Sequence, residues 1–279
     1  PEELVSRCVR AGITRMSVTD HNCVRANAPA RRAAETAGIR YTPGIEIDCT
    51  YETVNFHVLG YGINDQSPDF TGIEQALKEQ SRRISRERLA KIRGLGFPVT
   101  EQELAAKVQG RYWHEIWTGE LFAEVLLAKP ECRQHPLLLP YRAGGSRSDN
   151  PYVNFYWDYC SQGKSCYVET EYPALQDTVA MIHRNGGAAV LAHPGVNLRG
   201  HEQLEESLLL LGFDGLEAFS SYHTPEQFLH FWKAAQEHGL SVTCGSDYHG
   251  KTKPSISLGG HNSPLSDDRL AELLPEQIR

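Results

Sequence analysis

The sequence predicts an α/β fold, an open or distorted barrel of strands with helices packed outside it and a mainly helical insertion between two halves. Three observations carry that expectation. Strand-like and helix-like segments alternate at a short pace over residues 1–61 and again from 178 onward, a pattern that implies parallel pairing. The alternation lapses in between, and histidines and carboxylates stand where apolar runs meet loops. The elements are too few for a complete eight-fold barrel.

Each element has its own signature. Leu4, Val5, Cys8, Val9 and Ile13 recur at helical spacing, and Met16-Ser17-Val18 reads as a short strand. Pro1 at a first helical position, with Glu2 and Glu3 following and no cap before it, leads us to expect a strand and a capping Ser or Thr ahead of Pro1. Ala28 to Ala37 is an alanine-rich helix ending at Gly38. Tyr41 and Ile45-Glu46-Ile47 mark the next strand, interrupted by the turn pair Pro43-Gly44. Ile73, Leu77, Ile84, Leu89 and Ile92 predict a long amphipathic helix closed by Gly94 and Gly96, and Thr100-x-x-Glu103 is a capping box.

Between Gly110 and Tyr172 the chain turns aromatic and irregular, so 66–173 reads as an insertion, a cap over the barrel mouth. It separates a first barrel part, 1–65, from a second, 174–279. In the second part, Thr178 to Ile182 lies in a helix ending at Asn185-Gly186-Gly187, and Ala188 to Ala192 is an apolar strand. Asp214 to Phe219 is a strand, Pro225 to His238 a helix, and Leu240 to Cys244 the last strand.

Composition removes several classes of function. The net charge of -7, from 35 acidic and 28 basic residues, argues against a surface that coats nucleic acid. The run Arg82 to Arg88 is the one basic cluster and reads as a solvated helix face. Seven cysteines without a C-x-x-C pair, no secretory leader and no apolar run near the roughly 20 residues of a membrane span predict a cytoplasmic protein with reduced thiols.

The chemistry concentrates at strand ends. His21, Glu46, His57, His193, Asp247 and His249 occupy such positions, and in a barrel of parallel strands these converge on one mouth. Nitrogen and oxygen donors in this number have the composition of a multinuclear metal site. Taken singly, His57 within Phe56-His57-Val58 fits a satisfied core histidine, and His193 before Pro194 fits a strand end. Glu46 among apolar neighbours has a stronger claim, because an ionised carboxylate buried without a partner is costly.

The order Thr19-Asp20-His21, Pro43-Gly44-Ile45-Glu46, His57-Val58-Leu59-Gly60-Tyr61, Leu191-Ala192-His193-Pro194 and Gly245-Ser246-Asp247-Tyr248-His249 resembles the PHP (polymerase and histidinol phosphatase) family of metal-dependent phosphoesterases. The resemblance spans about 1–62 and 178–260 and implies a distorted (β/α)7 barrel of the PHP type with a trinuclear site. It makes Glu46 the carboxylate bridging two metals, His57 and His193 ligands of the second, Asp247 a ligand of the first, and His21 with His249 the holders of the third. The family's opening His-x-His motif is absent from these residues, and its place would be before Pro1. Many relatives that cleave small phosphoesters carry Gly-Arg-Pro-His where this chain has Gly110-Arg111-Tyr112-Trp113-His114.

The expected cofactors are two or three divalent transition metal ions, manganese, zinc or iron, which lower the pKa of water and neutralise phosphoryl charge. The expected reaction is hydrolysis of a phosphoester in a small phosphorylated metabolite, a monoester or a cyclic or nucleotide diester, by metal-activated hydroxide. Glu46 acts within the metal site, and His223, just past a strand, is the candidate general acid. Arg184, Arg199, Lys251 and, in the insertion, Arg111 are candidate phosphate binders, with Arg142 and Arg147 available to a second anionic group. Two alternatives stand beside this expectation: histidinol-phosphate phosphatase, and a polymerase-associated or regulatory module binding nucleic acid or protein.

Overall fold

The computed structural model describes residues 1–279. The chain divides into two compact units, one of Pro1–Glu74, Tyr172–Asp247 and Ser257–Arg279, the other of Gln75–Glu171 and Tyr248–Ile256. The segment 248–256, which the sequence reading gave to the barrel, thus belongs to the second unit.

The first unit is built on one six-stranded sheet. Its strands are β1 (Arg15–Val18), β2 (Arg40–Tyr51), β3 (Val54–Tyr61), β4 (Ala188–Leu191), β5 (Gly215–Ser220) and β6 (Ser241–Gly245). They lie in sequence order, with β1 and β6 at the edges. Pairing is parallel for β1 with β2, β4 with β5 and β5 with β6. It is antiparallel for β2 with β3 and β3 with β4, so the expectation of parallel pairing throughout is corrected at β3.

The cause is a two-residue turn. Glu52 and Thr53 both adopt left-handed backbone, with φ of 49° and 67°, the combination whose twist matches the two strands of a hairpin. Glycine or asparagine would have announced such a turn; Glu-Thr does not. The strand β2 also runs unbroken through Pro43-Gly44, where the sequence suggested an interruption. At Gly44 a side chain has no room, since an added Cβ would lie 2.7 Å from Thr19 Cγ2. The buried Asn27 takes over the backbone pairing there: its Nδ2 donates to Gly44 O at 2.8 Å and its Oδ1 accepts from Gly44 N at 2.9 Å. Tyr41 Oη donates to the same Oδ1 at 2.7 Å.

Strand alternation then sorts the two faces of the sheet. Ile45, Ile47 and Cys49 are fully buried in a core shared with Phe56, Val58, Leu175, Val179, Ile182, Ala189 and Leu191. The intervening Glu46 and Asp48 emerge on the other face, which they share with the apolar cluster of Leu59, Tyr61, Val190 and Ala192. The helix Leu175–Arg184 packs on the first face, and Gly60 admits it closely, because an added Cβ there would lie 3.1 Å from Ile182 Cγ1.

The second unit contains no strand. It holds most of the helix Pro68–Gly94, then Glu101–Val108 and Gly119–Ala128, around a core that includes Leu89, Ile92, Phe97, Leu104, Phe122, Leu126 and Phe155. The Thr100 capping box is present in both halves, and Thr118 caps the next helix through its hydroxyl. No helix of the protein is long and apolar enough to cross a membrane.

Replacing Asn27 by Ala leaves the Gly44 amide and carbonyl without buried partners. We expect Asn27→Ala to lower unfolding stability by about 1–3 kcal/mol, read as a reduced urea midpoint at unchanged m-value.

Candidate active site

Glu46 is the hinge of the site, and the backbone places it. Past the end of β1 the chain keeps pairing with β2: Glu46 N donates to Asp20 O at 3.2 Å, and Asn22 N donates to Glu46 O at 2.7 Å. His21, between those two bonds, is thereby held directly beside Glu46. Across the hairpin, His57 stands opposite Asp48, on the face that Glu46 and Asp48 share. His193 follows β4, and its backbone N–H donates to Glu217 Oε2 on β5 at 2.9 Å.

These positions bring three imidazoles around one carboxylate that is only 3% exposed. Glu46 Oε1 lies 2.7 Å from His57 Nδ1 and 3.1 Å from His193 Nε2, while Oε2 lies 3.7 Å from His21 Nε2. Successive rings stand edge to face, His21 to His57 at 82° and His57 to His193 at 84°. The donor atoms of Glu46, His57 and His193 all fall within 4.8 Å of one another, as do those of His21, Asp48 and His57. Imidazole nitrogens converging with carboxylate oxygens suit a divalent transition ion better than magnesium or calcium. The site is one for divalent metal.

The charges confirm how tightly these groups are coupled. Burial works against ionisation of Glu46, yet His21 and His57 hold its carboxyl well below the usual range. Asp48 is lowered in the same way against the same burial. Burial would likewise pull the histidines down, but Glu46 and Asp48 lift His21 to about 9 and His57 to about 10. Glu217 behaves oppositely: burial, opposed by the His193 N–H and reinforced by Asp247 and Glu46, raises it to about 8.

The remaining expected residues find varied places. Asp247 follows β6 in left-handed backbone, φ 50°, and accepts from Tyr222 Oη at 2.6 Å. His249 belongs to the second unit, where its carbonyl accepts from Thr252 N. His223 is 6% exposed, and both of its ring nitrogens are engaged by backbone. Nδ1 bonds Ala218 O at 2.9 Å and Nε2 accepts from Gly195 N at 3.0 Å. That arrangement fixes a neutral ring, and burial lowers its pKa to about 4. His223 braces the loop after β4 instead of offering the proton a general acid must supply.

Among the expected cations, Arg184 pairs with Asp69 at 2.7 Å and Lys251 with Glu124 at 2.7 Å. Arg199 and Arg111 are exposed, Arg111 within the second unit. Within the insertion, Arg147 pairs with Asp158, and Arg142 donates to the carbonyls of Leu127 and Cys132. Sequence reasoning missed Asp48, Glu217 and Tyr222. The alternation Ile45-Glu46-Ile47-Asp48 carries the signal for Asp48, since residues two apart share a strand face. Glu217 shows the same signal between Leu216 and Ala218, both fully buried.

Relatives bear on this geometry directly. No family model matches the chain. The chain is 27% identical over 262 residues to the 3',5'-nucleoside bisphosphate phosphatase of Chromobacterium violaceum, covering 93% of this chain and 85% of that protein. It is 28% identical over 267 residues to the 5'-3' exoribonuclease Rnm of Escherichia coli, covering 93% and 83%. Among solved structures, a Bifidobacterium adolescentis protein assigned as a metal-dependent phosphoesterase superposes with a TM-score of 0.73 at 28% identity, covering 98% of this chain and 90% of that one. Fold, site and relatives define a hydrolase. The chain is a phosphoesterase.

The raised histidines set a pH dependence. Their folded pKa values exceed the ordinary imidazole value, so in a chelator their contribution to stability is full below about pH 6.5 and is lost as pH rises through 9 to 10. Thermal unfolding in EDTA should show a midpoint that falls between pH 7 and 10, with a shallower slope for Glu46→Gln.

Proposed function

We propose that the chain is a PHP-type phosphoesterase that releases phosphate from a small nucleotide-like metabolite in a divalent-metal site. The observation that carries this reading is the buried Glu46 carboxylate, with His57 and His193 on one oxygen and His21 nearest the other. Glu46, His57 and His193 would hold one ion, and His21 beside the second oxygen of Glu46 would serve another. Asp247 joins the ligand set by its match to the family's final motif. Divalent ions held there would supply an acidified water near neutral pH and neutralise charge on the phosphoryl oxygens.

The chain's own residues prepare that chemistry. Two raised imidazoles hold Glu46 ionised in spite of burial, so it meets a cation as an anion, while His21 and His57 would release a proton each as they become ligands. The Tyr222 hydroxyl donates to Asp247 Oδ2 and so restricts the orientation of that carboxylate. Glu217 holds the His193 backbone in its left-handed turn, φ 23°, and so aims the ring at Glu46. With Arg184 bound to a carboxylate, Arg199, exposed in the first unit, is the better candidate there to meet a substrate's phosphates.

Nucleoside 3',5'-bisphosphate is the substrate class we favour, supported by the Chromobacterium violaceum relative. A second reading, removal of nucleotides from the 5' end of RNA, is supported by the Escherichia coli exoribonuclease at 28% identity. A panel of 3',5'-bisphosphate nucleosides, cyclic phosphates, histidinol phosphate and 5'-phosphorylated oligoribonucleotides separates them. We expect bisphosphate to give the highest kcat/KM; oligonucleotide turnover well above it would select the second reading.

Removing the central carboxylate tests the site itself. Glu46→Gln should lower kcat by about a hundredfold or more, the loss of several kcal/mol of metal-assisted stabilisation, while circular dichroism shows an intact fold. Elemental analysis of the wild-type protein purified in the presence of manganese should find at least one bound equivalent. A protein that retains none, or a variant with undiminished phosphate release, removes Glu46 from the reaction.

A further inference from the structure

Each site histidine has two ring nitrogens, and a neutral imidazole offers one lone pair and one N–H. His57 turns Nδ1 toward Glu46 Oε1 at 2.7 Å and toward His193 Nε2 at 3.4 Å. His21 turns Nε2 toward Glu46 Oε2 at 3.7 Å. The opposite nitrogens of both rings, His21 Nδ1 and His57 Nε2, lie 3.1 Å from one and the same atom, Asp48 Oδ1. The two rings therefore stand between two carboxylates.

Asp48 is itself held. Its Oδ2 accepts from Asn22 Nδ2, and its backbone N–H donates to Asn22 Oδ1 at 3.0 Å. Asn22 is 1% exposed and sits in left-handed backbone, φ 54°, a conformation asparagine tolerates better than most residues. Its own N–H donates to Glu46 O at 2.7 Å. The residue that fixes Asp48 is thus also tied to the strand that carries Glu46.

We propose that Asp48 is a positioning carboxylate for two metal-ligating histidines at once. Oδ1 accepts the outer N–H of both rings, which fixes Nδ1 of His57 and Nε2 of His21 as the nitrogens presented to the Glu46 side. A carboxylate oxygen has lone pairs for two such donors. The inward nitrogen of His57 meets a carboxylate and a further imidazole, a donor set for an ion. The outward one meets an oxygen already shared with His21 and clamped by Asn22. Such outer partners orient ligands and raise their basicity, and their loss costs about 10–100-fold in metal affinity.

The inference rests on the metal reading of the site, and the experiment keeps the two apart. Cobalt(II) is the probe, added to the full chain as wild type, Asp48→Asn, Asn22→Ala and the double variant. Affinity is read by competition with a chromophoric chelator, stoichiometry by elemental analysis, and ligand geometry by the visible absorption of cobalt.

We expect Asp48→Asn to keep the wild-type stoichiometry, to weaken binding about 10–100-fold and to change the cobalt spectrum. Asn22→Ala should weaken binding less, and should add nothing in the Asp48→Asn background, because it acts through Asp48. Loss of one whole equivalent in Asp48→Asn makes Asp48 a ligand and overturns the proposal, as does an unchanged affinity and spectrum. If Asp48→Asn does not fold, Asn22→Ala decides alone, and unchanged affinity there counts against it. A wild type that binds no cobalt overturns the metal reading and this inference together; a wild type that binds while both variants match it overturns this inference only.

Discussion

An ionised carboxylate at 3% exposure needs partners, and the arrangement of Glu46 among His21, His57 and His193 is the constraint on which the rest of this site depends. Stripped of those partners, a buried charge costs several kcal/mol. Three strands and one loop must therefore arrive in register: β2 for the carboxylate, the continuation of β1 for His21, β3 for His57 and the end of β4 for His193. The sheet keeps sequence order, which lets each neighbour be fixed by backbone pairing to the one before it. The carboxylate is then charged by design, since it remains well below its ordinary pKa in spite of burial.

Backbone strain accumulates where that register is completed. Asn22, His193 and Asp247, each following a strand, all take positive φ, which costs on the order of 1–3 kcal/mol for such residues. Each is over-determined by a nearby bond: Asn22 by Glu46 O, His193 by Glu217 and Asp247 by Tyr222. Glu217 has a second consequence, because its Oε1 occupies the space a side chain at position 245 would take, so any residue larger than glycine at the end of β6 would displace the Glu217 carboxylate. Strain at strand ends and hydrogen bonds beneath them form one device, whose product is the direction in which the imidazoles and Asp247 point.

Much of the fold could be read from the chain. Alternation located β1, β4, β5 and β6 within a residue or so, and helical spacing with the Thr100 capping box marked the long helix and its successor. The β2–β3 reversal was not legible, because Glu52 and Thr53 adopt left-handed backbone without the residue types that favour it. The continuity of β2 through Pro43-Gly44 was hidden for a related reason: a pair that usually breaks a strand is here held in one by the side chain of Asn27, seventeen positions away.

For the site, residue type and an expected strand-end position singled out His21, Glu46, His57 and His193; the structure puts His21 and His193 just past β1 and β4, but Glu46 and His57 inside β2 and β3, because the hairpin extends both strands beyond them. The same logic overreached at His223, whose ring is spent on Ala218 O and Gly195 N. Which nitrogen of each imidazole faces Glu46, and which carboxylate backs it, depends on distances between β1, β2 and β3. No local pattern contains those distances. The sequence by itself determined the chemical kinds of group available and the side of each strand they occupy; tertiary structure alone decided that Asp48, Glu217 and Tyr222 stand behind them, since orientation is set by contacts between elements far apart in the chain.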